Sequence, residues 1–395
     1  MTILLTGGGS GGHITPILAV AEELKAIKPD CKIVYIGERS GKFASLTKEH
    51  TAIDEIYTIF AGKFRRYHGQ SWIDRLFDVK TNALNMRDAI YVVLGLVQSL
   101  RLLRQIKPNV ILLKGGFVGV PIGLAAACGR RPFMTHDSDA LPGLANRLVS
   151  RWASLHATAL SAEYYPYTVT KIRPVGVLVE PNYQPVTPEL QKQYKHALGI
   201  PEDAPMLLIT GGSSGAERIN QAITKLIDSL LSEQSKLYVF HQVGKGKMSV
   251  YSNYTHERLR VVEFLKPMYQ YMGAADLVVC RASGNTLAEL GIQGKAVIAI
   301  PNPDLTGGHQ LKNAQRLQEQ QAAVVIYEKE LNNSQQHLFD AIVELLGDRS
   351  ARKKLGLTLQ SITKKGAAKK LALLLLEIAN KKQDVQTQDF TTTAS

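Results

Sequence analysis

The sequence predicts an α/β protein made of two doubly wound, parallel-sheet domains, and three observations predict it. The chain opens with a short apolar run, TILL (2–5), then GGGSGGHITP (7–16), then a segment with helical periodicity, then a second apolar run, KIVYIG (32–37). That order is a strand, a glycine-rich loop, a helix and a strand, the βαβ unit of a parallel sheet. The same order returns at MLLITGGSSGAERINQAITKLI (206–227). Between the two lies a stretch punctuated by Pro166, Pro174, Pro181, Pro185, Pro188, Pro201 and Pro205, which reads as an interdomain joint. A length of 395 residues fits two or three domains.

In the first half, PILAVAEELKAIK (16–28) predicts a helix with Pro16 at its first position. VILLKG (110–115), RPFMTH (131–136) and ASLHATA (153–159) predict further strands, and GLANRLVSRW (143–152) a helix between them. In the second half LYVFHQVG (237–244), LRVVEFL (259–265), DLVVCRAS (276–283) and AVIAIPNP (296–303) predict strands. Helical segments alternate with them, as a sheet covered on both faces requires. The expected domains are 1–163, a linker with one short helix that leads into the start of the second domain at 164–205, and 206–380. The last helix of the third segment is expected to pack back on the first. The tail 381–395 lacks an apolar period and is expected to be disordered.

The formal net charge is +13, and it is concentrated. Residues 63–107 carry nine Lys and Arg against three Asp and Glu, a net of +6, and residues 349–382 carry ten against one, a net of +9. Localised positive charge implies an anionic partner. The apolar run AIYVVLGLV (89–97) has nine residues and LALLLLEIA (371–379) is equally short. A spanning helix needs about 20. Both exclude a crossing segment at this level and leave a protein that touches a membrane surface. KFRRYHGQSW (63–72) interleaves basic and aromatic residues, and Leu94, Leu96, Val97, Leu100, Leu102 and Leu103 follow it. Basic and aromatic residues beside an apolar face suit a membrane surface better than nucleic acid. Cys31, Cys128 and Cys280 are far apart and without a CxxC spacing, as expected of buried thiols in a reducing compartment.

The first loop formally contains GxGxxG (7–12), but no acidic ribose partner stands at a following strand end, and no GK[ST] follows the glycines. The dinucleotide and P-loop readings are therefore set aside. What remains is a set of backbone N–H groups at a helix N-terminus, which binds phosphate. His13 follows the glycines directly. An imidazole can accept a proton from a hydroxyl near neutral pH, and the helix N-terminus disfavours its charged form. It also suits a helix cap. GGSSGAERIN (211–220) supplies the equivalent loop in the second half. CRASGNTLAEL (280–290) sets Ser283 and Gly284 at a strand end and Glu289 on the next helix, where a carboxylate can accept both hydroxyls of a ribose. GGHQLKNAQ (307–315) offers His309 and Gln310 for sugar hydroxyls.

Taken in order, GGSGGHITP (8–16), KGGFVGVPIGLAA (114–126), PGLANR (142–147), GGSSGAERIN (211–220), HQVGK (241–245), AADLVVCRASGNTLAE (274–289) and HQLKNA (309–314) resemble the MurG family of peptidoglycan N-acetylglucosaminyltransferases, from residue 2 to about 375. The resemblance implies the GT-B fold, two Rossmann-like domains with an interdomain cleft. It implies inverting transfer of GlcNAc from UDP-GlcNAc to the C4 hydroxyl of the MurNAc of lipid I, giving lipid II, with no metal and no cofactor beyond the donor substrate. It implies His13 as the base or a residue orienting it. Gly9, Ser10, Gly11, Gly12, Asp139 and Asn146 would meet the acceptor and its diphosphate. Ser213, Ser214, Gly215, Leu265, Ser283, Gly284, Glu289, His309 and Gln310 would meet UDP-GlcNAc. Phe64, Arg65, Arg66, Trp72 and Arg75 would rest on the anionic inner leaflet of the plasma membrane, at its cytoplasmic face, beside the undecaprenyl chain.

Three places bear comparison with the family pattern, one of them His309, which sits where the family often has Gln or His. HDSD (136–139) stands where the family has HEQN, and GVLVE (176–180) where it has GNPVR, so Asp139 and Glu180 introduce carboxylates. A carboxylate beside a diphosphate repels it unless protonated or turned away. A related GT-B transferase with another lipid-linked acceptor, and a catalytically weak membrane-associated UDP-sugar-binding protein, are the alternative readings.

Overall fold

A computed structural model describes residues 1–8, 11–39, 50–63, 78–251, 254–304, 308–333 and 335–392, without the side chains at 11–13, 80, 332–333 and 382–392. It divides into two units, Met1–Glu180 with Gly366–Ser395, and Pro181–Lys365. Each holds one sheet whose strand pairs are all parallel.

The first unit contains β1 (Thr2–Thr6), β2 (Lys32–Glu38), β3 (Glu55–Ile59), β4 (Val110–Leu113), β5 (Phe133–Asp137), β6 (Leu155–Thr158) and β7 (Ile172–Pro174) in the order β3-β2-β1-β4-β5-β6-β7. Side chains alternate across a strand. Ile3 and Leu5 join one buried cluster, with Ile33 and Tyr35, while Leu4 joins the cluster on the other face with Ile36 and Phe133. Burial on both faces is what a helix-covered parallel sheet requires. The order reverses between β1 and β4, so the loops after these two strands flank the switch point, where doubly wound sheets bind ligands.

The second unit contains β8 (Met206–Thr210), β9 (Tyr238–Gln242), β10 (Leu259–Val262), β11 (Leu277–Cys280), β12 (Val297–Ala299) and β13 (Val324–Val325) in the order β10-β9-β8-β11-β12-β13. Leu207 and Ile209 face one core, Met206 and Leu208 the other. Its switch point lies between β8 and β11.

Several sequence expectations are corrected. The first helix runs Gly11–Ile27, so Pro16 sits inside it rather than at its first position, because the glycines themselves coil into the opening turn. The proline-rich stretch is not a separate linker. Residues up to Glu180, including edge strand β7, belong to the first unit, and the helix Pro188–Ala197 to the second. The final helix, Ala367–Thr392, buries Ala368, Leu371, Ala372, Leu375, Leu376 and Ala379 in the core of the first unit. Fully burying a leucine contributes about 1.5–3 kcal/mol, so Leu371 and Leu375 anchor it firmly. Its backbone stays helical past 381 because no glycine or proline interrupts it. Cys31 and Cys280 are buried, but Cys128 is exposed, in the last turn of the helix Gly119–Cys128 as it leaves the core.

The nine-residue apolar run lies in a 28-residue helix, Val79–Ile106, whose stretch Thr81–Ile106 is long and apolar enough to cross a membrane. One stripe of it is packed. Asp88, Ser99 and Leu103 are buried, and a Cβ on Gly95 would stand 2.0 Å from the Phe60 carbonyl oxygen. Leu96, Leu100 and Leu102 pack against the same core as Leu103, so of the six apolar residues noted in the sequence only Leu94 and Val97 face outward. Met86, Ile90 and Val93 are exposed with them, at the spacing of one helix face.

Candidate active site

In the second unit the residues expected to meet the donor follow the C-terminal ends of its strands. The loop after β8 turns tightly. Gly215 has φ 68°, and a Cβ there would stand 1.9 Å from the Val243 carbonyl oxygen, so only glycine lets the loop lie against the segment after β9. Gln242 holds three pieces of this edge together. Its Nε2 donates to Thr210 Oγ1 at 3.2 Å and to the Gly212 carbonyl at 3.0 Å, and its Oε1 accepts from the Leu265 N–H at 2.8 Å. Ser213 and Ser214 are exposed at the loop tip, and the helix Glu217–Glu233 begins with no side chain capping its N–H groups. Such a terminus suits an anion.

Beneath the loop, Asn220 Nδ2 donates to the Val243 carbonyl at 2.9 Å, which turns Oδ1 toward His241 Nε2 at 3.1 Å. Nε2 therefore carries the proton and Nδ1 accepts from the Tyr251 hydroxyl at 2.9 Å. Burial pushes the His241 pKa down to about 3, so the ring stays neutral and this chain of bonds is fixed. Arg218, in the first turn of the helix after the loop, and Arg281, after β11, both pair with the buried carboxylate of Glu328. These supporting residues escape sequence reading, because each acts across 10 to 110 residues of chain.

Ser283 caps the helix Gly284–Gln293 and donates to Thr286 Oγ1 at 2.9 Å. Glu289 is half-buried on that helix, close enough to Cys280 to help raise the thiol's pKa, which burial chiefly drives to about 12. His309 opens the helix His309–Glu319. Gln310 is buried, and its Oε1 accepts from the Asn302 N–H at 2.9 Å, so its side chain braces the loop after β12 instead of standing open to a sugar.

In the first unit a Cβ on Gly116, φ 78°, would stand 2.1 Å from the Gly8 carbonyl oxygen. The two loops of the switch point thus touch backbone to backbone. Gly9 and Ser10 lie outside the described residues, as do Phe64, Arg65, Arg66, Trp72 and Arg75. Gly11, Gly12 and His13 form the first turn of the helix Gly11–Ile27.

Beside these loops lies a buried charged cluster. The Lys114 N–H donates to the Thr6 carbonyl at 2.9 Å, and its Nζ donates to Ser138 Oγ at 2.8 Å. Lys114 is 4% exposed. Burial pulls its pKa down to about 8, against the pull of Asp137 and Asp139 in the other direction. Asp137 accepts from the Gly143 N–H, Asn146 Nδ2 and the Tyr167 hydroxyl at 3.1, 2.9 and 2.9 Å, yet burial still raises its pKa. Asn146 is buried and also donates to the His136 carbonyl at 3.0 Å, so it holds Asp137 and faces inward, not toward a ligand. His136 Nε2 donates to the Gly176 carbonyl at 3.0 Å, burial chiefly holds the ring neutral, and its Nδ1 has no partner among the described residues. Asp139 is half-buried, and its carbonyl accepts from the Tyr165 hydroxyl at 2.9 Å. Among the described residues no group of three or more His, Cys, Asp or Glu is placed to hold a metal ion.

Comparison with known proteins identifies the family. The glycosyltransferase family 28 N-terminal domain matches residues 3–158, and the family's C-terminal domain matches residues 206–371. A UDP-N-acetylglucosamine–N-acetylmuramyl-(pentapeptide) pyrophosphoryl-undecaprenol N-acetylglucosamine transferase from Salinibacter ruber is 32% identical over 385 residues, covering 96% of this chain and 97% of the relative. One of the same name from Acetivibrio thermocellus is 30% identical, covering 97% and 99%. The crystal structure of Acinetobacter baumannii MurG superposes with a TM-score of 0.68 at 23% identity, over 95% of this chain and 99% of that one, and shows the shared GT-B fold. The chain belongs to glycosyltransferase family 28, among its MurG-type N-acetylglucosaminyltransferases.

Proposed function

We propose that the chain transfers GlcNAc from UDP-GlcNAc to the C4 hydroxyl of the MurNAc of lipid I, forming lipid II with inversion at the anomeric carbon. The observation that carries this reading is the pair of switch points, each with a glycine loop opening a helix N-terminus in its own doubly wound sheet. One such edge suits the diphosphate of a donor and the other the diphosphate of an acceptor. Ser213, Ser214 and Gly215 cradle the donor diphosphate, Leu265 faces uracil, Ser283 and Gly284 line the same edge, Glu289 binds the ribose and His309 the GlcNAc hydroxyls. Gln310 acts through the loop that it braces. Gly9, Ser10, Gly11 and Gly12 hold the acceptor diphosphate. His13 takes the C4 hydroxyl proton as the oxygen attacks C1 of GlcNAc and the C1–O bond to UDP breaks. Charge growing on UDP is met by the N–H groups opening the helix Glu217–Glu233.

The exposed face Met86, Ile90, Val93, Leu94 and Val97, within the basic segment 63–107, supports seating on the anionic cytoplasmic leaflet beside the lipid carrier. Phe64, Arg65, Arg66, Trp72 and Arg75, basic and aromatic residues of the same segment of sequence, suit contact with that leaflet. The test is incorporation of labelled GlcNAc into a lipid I analogue, with the product's anomeric configuration read by NMR. A β-linked disaccharide on the lipid is expected. Intact UDP-GlcNAc binding with no labelled product would assign a different acceptor.

A further inference from the structure

The basic segment 349–382 is not used by the transfer chemistry, and part of it faces a hollow on the first unit. This hollow has a volume of about 690 Å³ and is lined by the turn after the helix Gly119–Cys128, the starts of β5, β6 and β7, and the helix Ala367–Thr392. All seven strands run parallel, so it lies at the edge opposite the glycine loops. Arg130, Arg131, Arg173 and Lys381 line it, and Glu377 is the one carboxylate among the lining residues. Glu377 pairs with Lys381 at 2.8 Å. No carboxylate pairs with Arg130 or Arg131 among the described residues.

A second observation concerns Arg130. It has φ 49°, in the left-handed region, while its neighbour Gly129 has φ −85°, which any residue adopts. The Arg130 N–H bonds to the Ala127 carbonyl and the Arg131 N–H to the Ala126 carbonyl, the helix ending in which the left-handed position normally takes glycine. The chain thus keeps an arginine at the strained position with a glycine beside it. Complementing the helix dipole explains positive charge at this terminus. It does not explain the strained position, nor the cations brought by β7 and by the last helix. Trp152 adds an aromatic wall, with Arg151 stacked 4.9 Å from its ring centre.

We propose that this hollow is a second anion site, taking a soluble phosphorylated small molecule whose phosphate groups meet Arg130, Arg131 and Arg173 and whose organic body lies along Trp152. Its volume suits such a ligand, and planar guanidinium groups bind phosphate in a bidentate fashion. Only two tryptophans exist, so Trp72→Phe leaves Trp152 as the sole indole reporter. Pyrophosphate is titrated into that protein with UDP saturating, and emission is followed. A saturable change is expected, with a midpoint raised at least tenfold by adding Arg130→Gly. Arg130→Gly also relieves the left-handed strain, so its melting temperature should rise by about 2 °C, and weaker binding cannot then be assigned to unfolding. Lys381→Gln, on the exposed end of a different element, should raise the midpoint as well. A flat emission, a midpoint unchanged in Arg130→Gly and Lys381→Gln, or a response only to phosphatidylglycerol vesicles overturns the proposal.

Discussion

Replacing Lys114 with methionine separates stability from activity. The ammonium is buried, and burial lowers its pKa from 10.5 to about 8. That difference corresponds to about 3 kcal/mol of cost for carrying the charge in the fold. The unfolded chain binds the proton up to pH 10.5 and the folded chain only up to about 8, so the cost is fully present below pH 8. It fades as pH rises toward 10.5, and stability climbs over that window. Methionine removes the cost. It also removes the bond to Ser138, worth about 1 kcal/mol, and the cation facing Asp137 and Asp139. The net expected at pH 7 is a gain of about 1–2 kcal/mol, read by urea denaturation, with a shallower climb between pH 8 and 10.5, the remainder coming from buried Lys295, whose pKa burial lowers to about 7. Transfer to a lipid I analogue should fall at least tenfold, because the negative charge of Asp137 and Asp139 beside the switch-point loops would then oppose the acceptor diphosphate with no cation to offset it. A less stable Lys114→Met protein whose stability climbs above pH 8 as steeply as the parent's would refute the reasoning. The lysine would then be an anchor of the Ser138 turn.

Three other substitutions probe the second unit and the last helix. Gln242→Leu unties the glycine loop from the Leu265 N–H, and UDP-GlcNAc affinity by calorimetry should weaken about tenfold, or 1.4 kcal/mol, with the fold kept. Glu328→Gln leaves Arg218 and Arg281 without their shared carboxylate, and breaking a buried pair should cost about 3 kcal/mol in urea denaturation. Leu375→Ala opens a cavity beneath the last helix and should cost about 2–5 kcal/mol by the same method.

Much of the fold is legible in the sequence because the central strands are short, apolar and bounded by glycine. β1, β4 and β8 are visible in this way and β11 by its apolar run alone, and they set both switch points. The edges are not. EIYTI of β3 is only partly buried, β7 is three residues ending in proline, and β13 is two residues, so none carries an apolar signal of its own. The helix Val79–Ile106 shows in the sequence only as a nine-residue apolar run, because Asn82, Asn85, Gln98 and Ser99 dilute its apolar character while its buried stripe recurs at 88, 95, 99 and 103. The site divides similarly. Loop glycines and loop serines stand in contiguous motifs. Lys114 meets Ser138 through the pairing of β4 with β5, and Gln242 reaches Gly212 and Leu265 through the ends of three strands. Such contacts depend on register, which spacing along the chain does not report.

The central claim is a transferase whose two switch points serve donor and acceptor separately. Its most direct test is UDP release from UDP-GlcNAc by the purified protein with and without a lipid I analogue, compared with His13→Ala. UDP release that requires the analogue, and that His13→Ala loses while keeping UDP-GlcNAc affinity, is the predicted result. Release independent of the analogue, or undiminished in His13→Ala, would contradict the account.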